Sequence, residues 1–212
     1  RPMWFALDGE KSEYEYSYNY QNWYPSAEYE TNNTIKNVGL FDLTPFSKFE
    51  IKSEKAHGEL QKICTANIKN GIGKCTYTHM LNKDGGIETD LTVVCLDKNH
   101  FRIISSAATR ERDKFHINKH LSKGVKLKDI TDDYCVFGLF GPKSRNLIKT
   151  ISKDSFDNND FKFGTAKYIE IEGIKIWAQR LSYVGELGYE LYVKVNEAKK
   201  IYELLIEKGK DF

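Results

Sequence analysis

Cys75-Thr76-Tyr77-Thr78-His79-Met80-Leu81, Asn82-Lys83-Asp84-Gly85-Gly86 and Ile87-Glu88-Thr89-Asp90-Leu91-Thr92-Val93-Val94-Cys95-Leu96 form the stretch around which the rest of the chain organises. Two β-rich runs flank a turn whose paired glycines tolerate positive φ, so the segment reads as a β-hairpin. Upstream, Ser47 to Ile51 reads as a strand with Phe49 and Ile51 on one face. Ala56, Leu60, Ile63 and Cys64 follow at helical spacing, and Asn67 to Gly73 holds the breakers that end that helix. Downstream, Phe101 to Ser105 is a further strand, and Arg110 to Leu121 a helix expected to send Phe115 and Ile117 into the core. Strand, helix, strands, helix, strand is a split β-α-β order of the ferredoxin-like kind.

A second unit opens near Tyr134. Cys135 to Phe140 reads as a buried strand, and Gly141-Pro142 leads into a short helix carrying Leu147 and Ile148. Tyr168 to Ile171 and Ile174 to Trp177 flank Glu172-Gly173, a two-residue hairpin signal. Gly188 to Val193 is the last strand. Asn196 is expected to cap a helix with Ala198, Ile201, Tyr202 and Leu205 on one face, stopped by Gly209. The two units share an order of elements without an alignable repeat, and the whole reads as α+β with antiparallel sheets.

Bulk composition excludes several classes. The 212 residues are 40% hydrophobic and 29% charged, the balance of a folded domain large enough to bury a core. Formal net charge is only +2, so no global field captures a polyanion. The segment holding Trp4, Phe5, Tyr14, Tyr16, Tyr18, Tyr20, Trp23, Tyr24 and Tyr29 is aromatic enough for base stacking. Asp8, Glu10, Glu13, Glu15, Glu28 and Glu30 in the same segment would repel a phosphate backbone. The period-two tyrosines therefore read as one face of an extended segment that covers a core or a domain contact. Cys64, Cys75, Cys95 and Cys135 are scattered among apolar neighbours and read as reduced, buried thiols. No stretch approaches the length of a membrane span and no signal peptide is visible, so the expected location is cytoplasmic. The openings Arg1-Pro2-Met3 and Lys210-Asp211-Phe212 suggest a piece of a longer chain.

Chemistry-bearing motifs are sparse. His116 and His120 sit four apart on the expected helix, a metal-compatible spacing, but no third ligand accompanies them and Arg110, Arg112, Lys114 and Lys119 surround them. No metal site is expected. Phosphate-binding glycine loops and a Gly-x-Ser-x-Gly elbow are missing from the sequence. Asp90 is the exception: with Leu91 and Val93 on the buried face, Asp90 and Thr92 point the other way beside the glycine turn. Glu190 alternates in the same manner against Tyr189, Leu191 and Val193. On pattern alone, a solvated strand-end charge is the simpler account of each.

Four motifs in order give the chain a specific resemblance. They are Val38-Gly39-Leu40-Phe41-Asp42-Leu43-Thr44-Pro45-Phe46; Tyr77 to Asn82 with Gly85 to Thr92; Gly138-Leu139-Phe140-Gly141-Pro142-Lys143-Ser144-Arg145; and Arg180-Leu181-Ser182-Tyr183-Val184-Gly185-Glu186-Leu187-Gly188-Tyr189-Glu190. Together they resemble the folate-binding domain of the glycine cleavage T-protein (aminomethyltransferase) family. Arg1 to Ala6 and Asn22-Trp23-Tyr24 are closer to one branch, the C-terminal parts of dimethylglycine and sarcosine dehydrogenases. The resemblance implies a tetrahydrofolate-dependent transfer of a one-carbon (methylene) unit, with FAD expected only in a separate N-terminal flavin domain. The partners it implies are folate, a methylated amine or its iminium, and that flavin domain, with no nucleic acid and no membrane. Carried over by motif, Asp90 takes the catalytic carboxylate's place, Tyr77 and Thr92 line the folate cavity, and Tyr183 and Glu190 hold the pterin. Phe46 stands as an apolar wall where T-proteins have Met.

The same resemblance implies an arrangement in which residues 1–49 pack with 126–212 and residues 50–125 form an inserted ferredoxin-like subdomain. Ser106 departs from the family, standing where T-proteins usually carry a folate-touching Asn. A further Arg and a C-terminal barrel of the family lie beyond the chain. Alternatives are a stand-alone aminomethyltransferase or related methyltransferase, and a non-catalytic folate-binding module. The alternative to a cytoplasmic location is the mitochondrial matrix.

Overall fold

A computed structural model of the chain describes residues 12–212. Trp4, Phe5 and the Arg1 to Ala6 motif lie outside the described residues. Helix α1 (Tyr24–Lys36) leads into β1 (Gly39–Asp42), followed by β2 (Ser47–Lys52) and α2 (Ala56–Ile63). The hairpin strands β3 (Cys75–Leu81) and β4 (Ile87–Asp97) precede β5 (His100–Ser105), α3 (Arg110–His120) and β6 (Leu127–Asp129). The second half runs β7 (Tyr134–Phe140), α4 (Ser144–Ile151), β8 (Thr165–Ile171), β9 (Ile174–Arg180), β10 (Gly188–Lys194) and α5 (Val195–Gly209).

Two five-stranded sheets result, ordered β3-β4-β5-β2-β6 and β1-β7-β10-β9-β8, with every pairing antiparallel. The first holds β6-β2-β5-β4 in ferredoxin-like sequence, with β3 added at the edge. The second reads β8-β9-β10-β7 in the same sense, and β1 fills against β7 the slot that β6 fills against β2. The fold is therefore α+β, with two like-ordered antiparallel sheets.

Period-two alternation assigns each strand face a role. Phe49, Ile51, Leu91, Val93, Phe101 and Ile103 face α2 and α3, meeting Ala56, Leu60 and Ile117. Leu139, Ile169, Ile176, Tyr189 and Leu191 face α4 and α5, meeting Leu147, Ile148, Ala198, Ile201 and Leu205. The opposite faces meet each other, with Cys75, Val94 and Ile104 of one sheet packed against Val136, Ala166, Trp177 and Tyr192 of the other. The order is helices, sheet, sheet, helices. At the corner where the units touch, Gly73 has φ +76, and a Cβ there would lie 2.2 Å from the Ala166 carbonyl oxygen, so only glycine fits.

Several local expectations are corrected. Tyr14 to Tyr20 form no strand, and Tyr24 onward is helical. Tyr14 and Tyr16 instead each pack edge to face on Trp23. Only Thr34 of α1 is buried, so no apolar stripe announced that helix. Phe115 is 70% exposed, while Asp113 takes a buried place beside Ile117 and accepts hydrogen bonds from Thr89 and Thr109. Lys194, not Asn196, flanks the start of α5, and Tyr202 lies at the rim of that helix's buried face, 47% exposed. The Glu172-Gly173 turn is as expected, both residues having positive φ between Ile171 and Ile174. In the β3–β4 turn only Gly85 does.

Candidate functional site

The site lies where the inner faces of the two sheets diverge. On β4, Thr92 points away from the helices because Leu91 and Val93 point toward them, and it is buried against the other sheet. On β10, Glu190 and Tyr192 turn inward because Tyr189, Leu191 and Val193 face α4 and α5. A small cavity opens between Phe46, Thr92, Tyr183, Glu190 and Tyr192, with Ile104 and Val136 among its apolar walls. Phe46 and Tyr183 stack across it, nearly parallel at 17° with centroids 6.4 Å apart.

Polarity is graded from surface to base. At the exposed end, the Tyr77 hydroxyl donates to Asp90 Oδ2 at 3.1 Å. Tyr77 stands opposite Thr92 in the β3–β4 ladder, which brings this pair beside the cavity. Burial pushes the Tyr77 phenol up, and its bond to Asp90 adds to that. Burial also raises the Tyr183 phenol; Thr92 within hydrogen-bonding reach opposes the rise, and the charges of Glu190 and Asp90 reinforce it. At the base, Glu190 is only 4% exposed and accepts one hydrogen bond, from Tyr192 Oη at 2.9 Å. Loss of hydration pushes its carboxyl up to about 7, and the Tyr192 bond only partly offsets this.

All six sequence-derived positions thus come together: Phe46, Thr92, Tyr183 and Glu190 line the cavity, with Tyr77 and Asp90 paired at its side. Ser106 spends its hydroxyl locally, accepting from the Ala108 N–H at 3.3 Å. His116 and His120 lie on the far side of the first sheet with rings tilted 48° and centroids 4.6 Å apart, and His120 Nδ1 is engaged with the His116 carbonyl. Among the described residues no group of three or more His, Cys, Asp or Glu side chains is placed to hold a metal ion.

Three residues escaped the sequence reading. Tyr192 shares Glu190's parity and was legible on that ground. Lys48, fully buried, donates from Nζ to the Thr44 and Phe46 carbonyls at 2.9 and 2.8 Å and so ties down the turn that presents Phe46. Burial lowers its ammonium to about 8. Gln179 lies opposite Glu190 in the β9–β10 ladder, fully buried, and neither its Oε1 nor its Nε2 has a partner. Only cross-strand register reveals that neighbour.

The family model of the GCVT N-terminal domain matches residues 1–212. The chain belongs to the GCVT N-terminal domain family. Mitochondrial dimethylglycine dehydrogenase of Rattus norvegicus is 30% identical over the whole chain, which spans 25% of that protein. An aminomethyltransferase of Natranaerobius thermophilus is 28% identical over 86% of the chain and 50% of its own length. In structure, the glycine cleavage aminomethyltransferase T of Bartonella henselae superposes with a TM-score of 0.73 over 84% of the chain and 48% of its own, at 21% identity, which supports the fold. This GCVT domain thus spans a quarter to a half of these relatives. Among the described residues no helix is long and apolar enough to cross a membrane.

Proposed function

We propose that this GCVT domain binds tetrahydrofolate and passes a one-carbon unit to it, as part of a dimethylglycine or sarcosine dehydrogenase-like flavoprotein. The observation that carries the reading is the pairing of a buried, under-bonded carboxylate at the base of the cavity with an exposed carboxylate at its side. Glu190 accepts a single hydrogen bond, and flat Phe46 and Tyr183 line the same cavity. That acceptor fits a planar heterocycle carrying adjacent N–H groups. Under this reading the pterin head enters between Phe46, Tyr183 and Glu190, with the remainder lying toward Tyr77 and Asp90.

Bound tetrahydrofolate supplies a nucleophilic nitrogen for an iminium or aminomethyl carbon. Glu190 accepts the two N–H groups of the pterin edge in a fork, a charge-assisted contact worth about 1.5–3 kcal/mol per bond. Phe46 and Tyr183 fix the plane of the rings, and Lys48 holds the Phe46 turn in place. Asp90 takes the proton released as the nitrogen is alkylated and stabilises the adjacent positive charge, while Tyr77 orients the carboxylate through its 3.1 Å bond. FAD chemistry belongs to a separate domain of the parent protein under this reading. A stand-alone aminomethyltransferase uses the same site; the Tyr77–Asp90 pair favours transfer over passive folate binding. The dehydrogenase assignment carries with it a mitochondrial or cytoplasmic location.

Calorimetric titration with 5-formyltetrahydrofolate, a stable reduced folate, tests the reading. Saturable binding that weakens at least tenfold in Glu190→Gln is expected. No binding, or equal binding by the variant, overturns it.

A further inference from the structure

Gln179 has no place in the steps above, yet its setting is unusual. Its carboxamide is fully buried with both heteroatoms unpartnered, a costly state that buried amides seldom occupy. Alternation puts it on the inner face of the second sheet: Ile176 and Ala178 enter the core against the helices, so Trp177 and Gln179 point toward the first sheet. Its register partner across the ladder is Glu190, on the same face. Side chains so placed have Cβ atoms roughly 4.5–5.5 Å apart, within reach of one hydrogen bond between two long polar side chains. Glu190 has one oxygen engaged by Tyr192 and the other free of any protein donor. The complement is therefore local: an orphaned N–H donor beside an under-bonded acceptor.

We infer that Gln179 is the positioning residue of Glu190, donating from Nε2 to the Glu190 carboxylate whenever that carboxylate is ionised and so aiming its free edge into the cavity. The inference deepens the proposed function and rests on Glu190 being the ligand-binding carboxylate. A protonated Glu190 has less need of an external donor, and in the structure the Gln179 amide has no partner. In the ionised state the amide is an uncommitted donor at the register position opposite the carboxylate. The other groups facing Glu190 do not compete: Tyr192 on the same strand already donates, Cys75 on β3 is a thiol that burial holds up at about 12, and Tyr183 reaches in from the β9–β10 connection. Arg102 on β5 lies over the Tyr192 ring and holds Glu50 through Nε and Nη2, while its Nη1 has no partner.

The test has one arm without ligand and one with it. In purified protein carrying ¹³C-labelled glutamate carboxyls, the Glu190 signal, identified by its loss in Glu190→Gln, is titrated in wild type and in Gln179→Met, a substitution of similar length without donors. The Met variant should shift the midpoint upward by about one unit. Gln179→Glu, equally long, should instead couple two carboxyls and split the titration. In the second arm, 5-formyltetrahydrofolate affinity in Gln179→Met should be about tenfold weaker at pH 6 and equal to wild type at pH 9, because the loss acts only through the fraction of Glu190 ionised. A merely structural residue would weaken binding equally at both pH values. Circular dichroism and thermal melts establish that both variants are folded. If either variant fails to fold, the other decides. An unmoved Glu190 midpoint, or a loss of affinity independent of pH, overturns the role of Gln179. Failure of wild-type protein to bind the folate overturns the proposed function, while the ligand-free titration still decides whether Gln179 serves Glu190.

Discussion

Replacing Glu190 by Gln should make the protein more stable while disabling its site. The carboxyl sits 4% exposed with a pKa raised from 4.5 to about 7, and loss of hydration is the main cause. A carboxyl whose folded pKa lies above its unfolded one gives stability that is complete below pH 4.5 and is lost as pH rises toward 7. In that window the unfolded chain has released a proton that the native state retains. From pH 5 to pH 8 the resulting loss is on the order of 2–3 kcal/mol. Glutamine keeps the length, keeps an acceptor for the Tyr192 hydroxyl and does not ionise, so the loss disappears. Urea unfolding of wild type and Glu190→Gln at pH 5 and pH 8 measures it directly. The variant's advantage should grow by about 2–3 kcal/mol between the two pH values, the pattern of a group retained for function at the expense of stability. A stability difference that does not change with pH would show that Glu190 ionises freely in the native state, and the account of the cavity base would be wrong.

In wild type, affinity for 5-formyltetrahydrofolate should rise with pH through about 7 as Glu190 ionises, with proton release on binding read from calorimetry in buffers of differing ionisation enthalpy. Asp90→Asn in the whole protein should leave amine oxidation intact but slow carbon transfer to folate ~10²-fold or more, read as a fall in the ratio of methylenetetrahydrofolate to free formaldehyde at saturating folate. Phe115→Ser should change stability by less than about 0.5 kcal/mol, because the ring is 70% exposed, whereas Ile117→Ala on the same helix should cost about 2–5 kcal/mol. Arg102→Met should cost about 3–5 kcal/mol in chemical denaturation by stranding Glu50, which accepts from Arg102 Nη2 at 2.7 Å, and Glu50→Gln in the same background should recover part of that loss.

What could be read in advance follows the range over which each signal acts. The β3–β4 hairpin was legible because period-two alternation and a glycine turn are local, and so were the opposed faces of Asp90 and Leu91. Helix α3 misled because its one deeply buried apolar residue, Ile117, is flanked by polar neighbours, and Asp113 takes the inward place that an apolar reading gives to Phe115. Helix α1 escaped because it buries almost nothing. Parity also left one ambiguity: it turned Thr92 and Glu190 away from the aliphatic cores, yet could not say whether that direction held water or a second sheet. Lys48 and Gln179 depend on contacts between segments far apart in sequence or on strand register. No periodicity encodes those.

The layer between the sheets explains why the cavity sits where it does. Each sheet closes an apolar core against its own helices, but the face each turns to the other is mixed, with Lys48, Glu50, Arg102, Gln179 and Glu190 set among Val94, Ile104, Trp177 and Tyr192. An all-apolar interface would tolerate sliding, since dispersion and hydrophobic burial are weakly directional. Here the Cys75 N–H must meet the Gly164 carbonyl and the Ala166 N–H that of Gly73, at 3.0 and 2.6 Å. Those bonds are directional and lose strength steeply when misaligned. They fix one register between the units, and that register sets Thr92 of the first sheet across from Tyr183 and Glu190 of the second. Arg102 completes the arrangement by stacking on Tyr192, whose hydroxyl holds Glu190. The polar groups that cost the interface stability are thus the ones that hold the two halves of the site at a fixed distance.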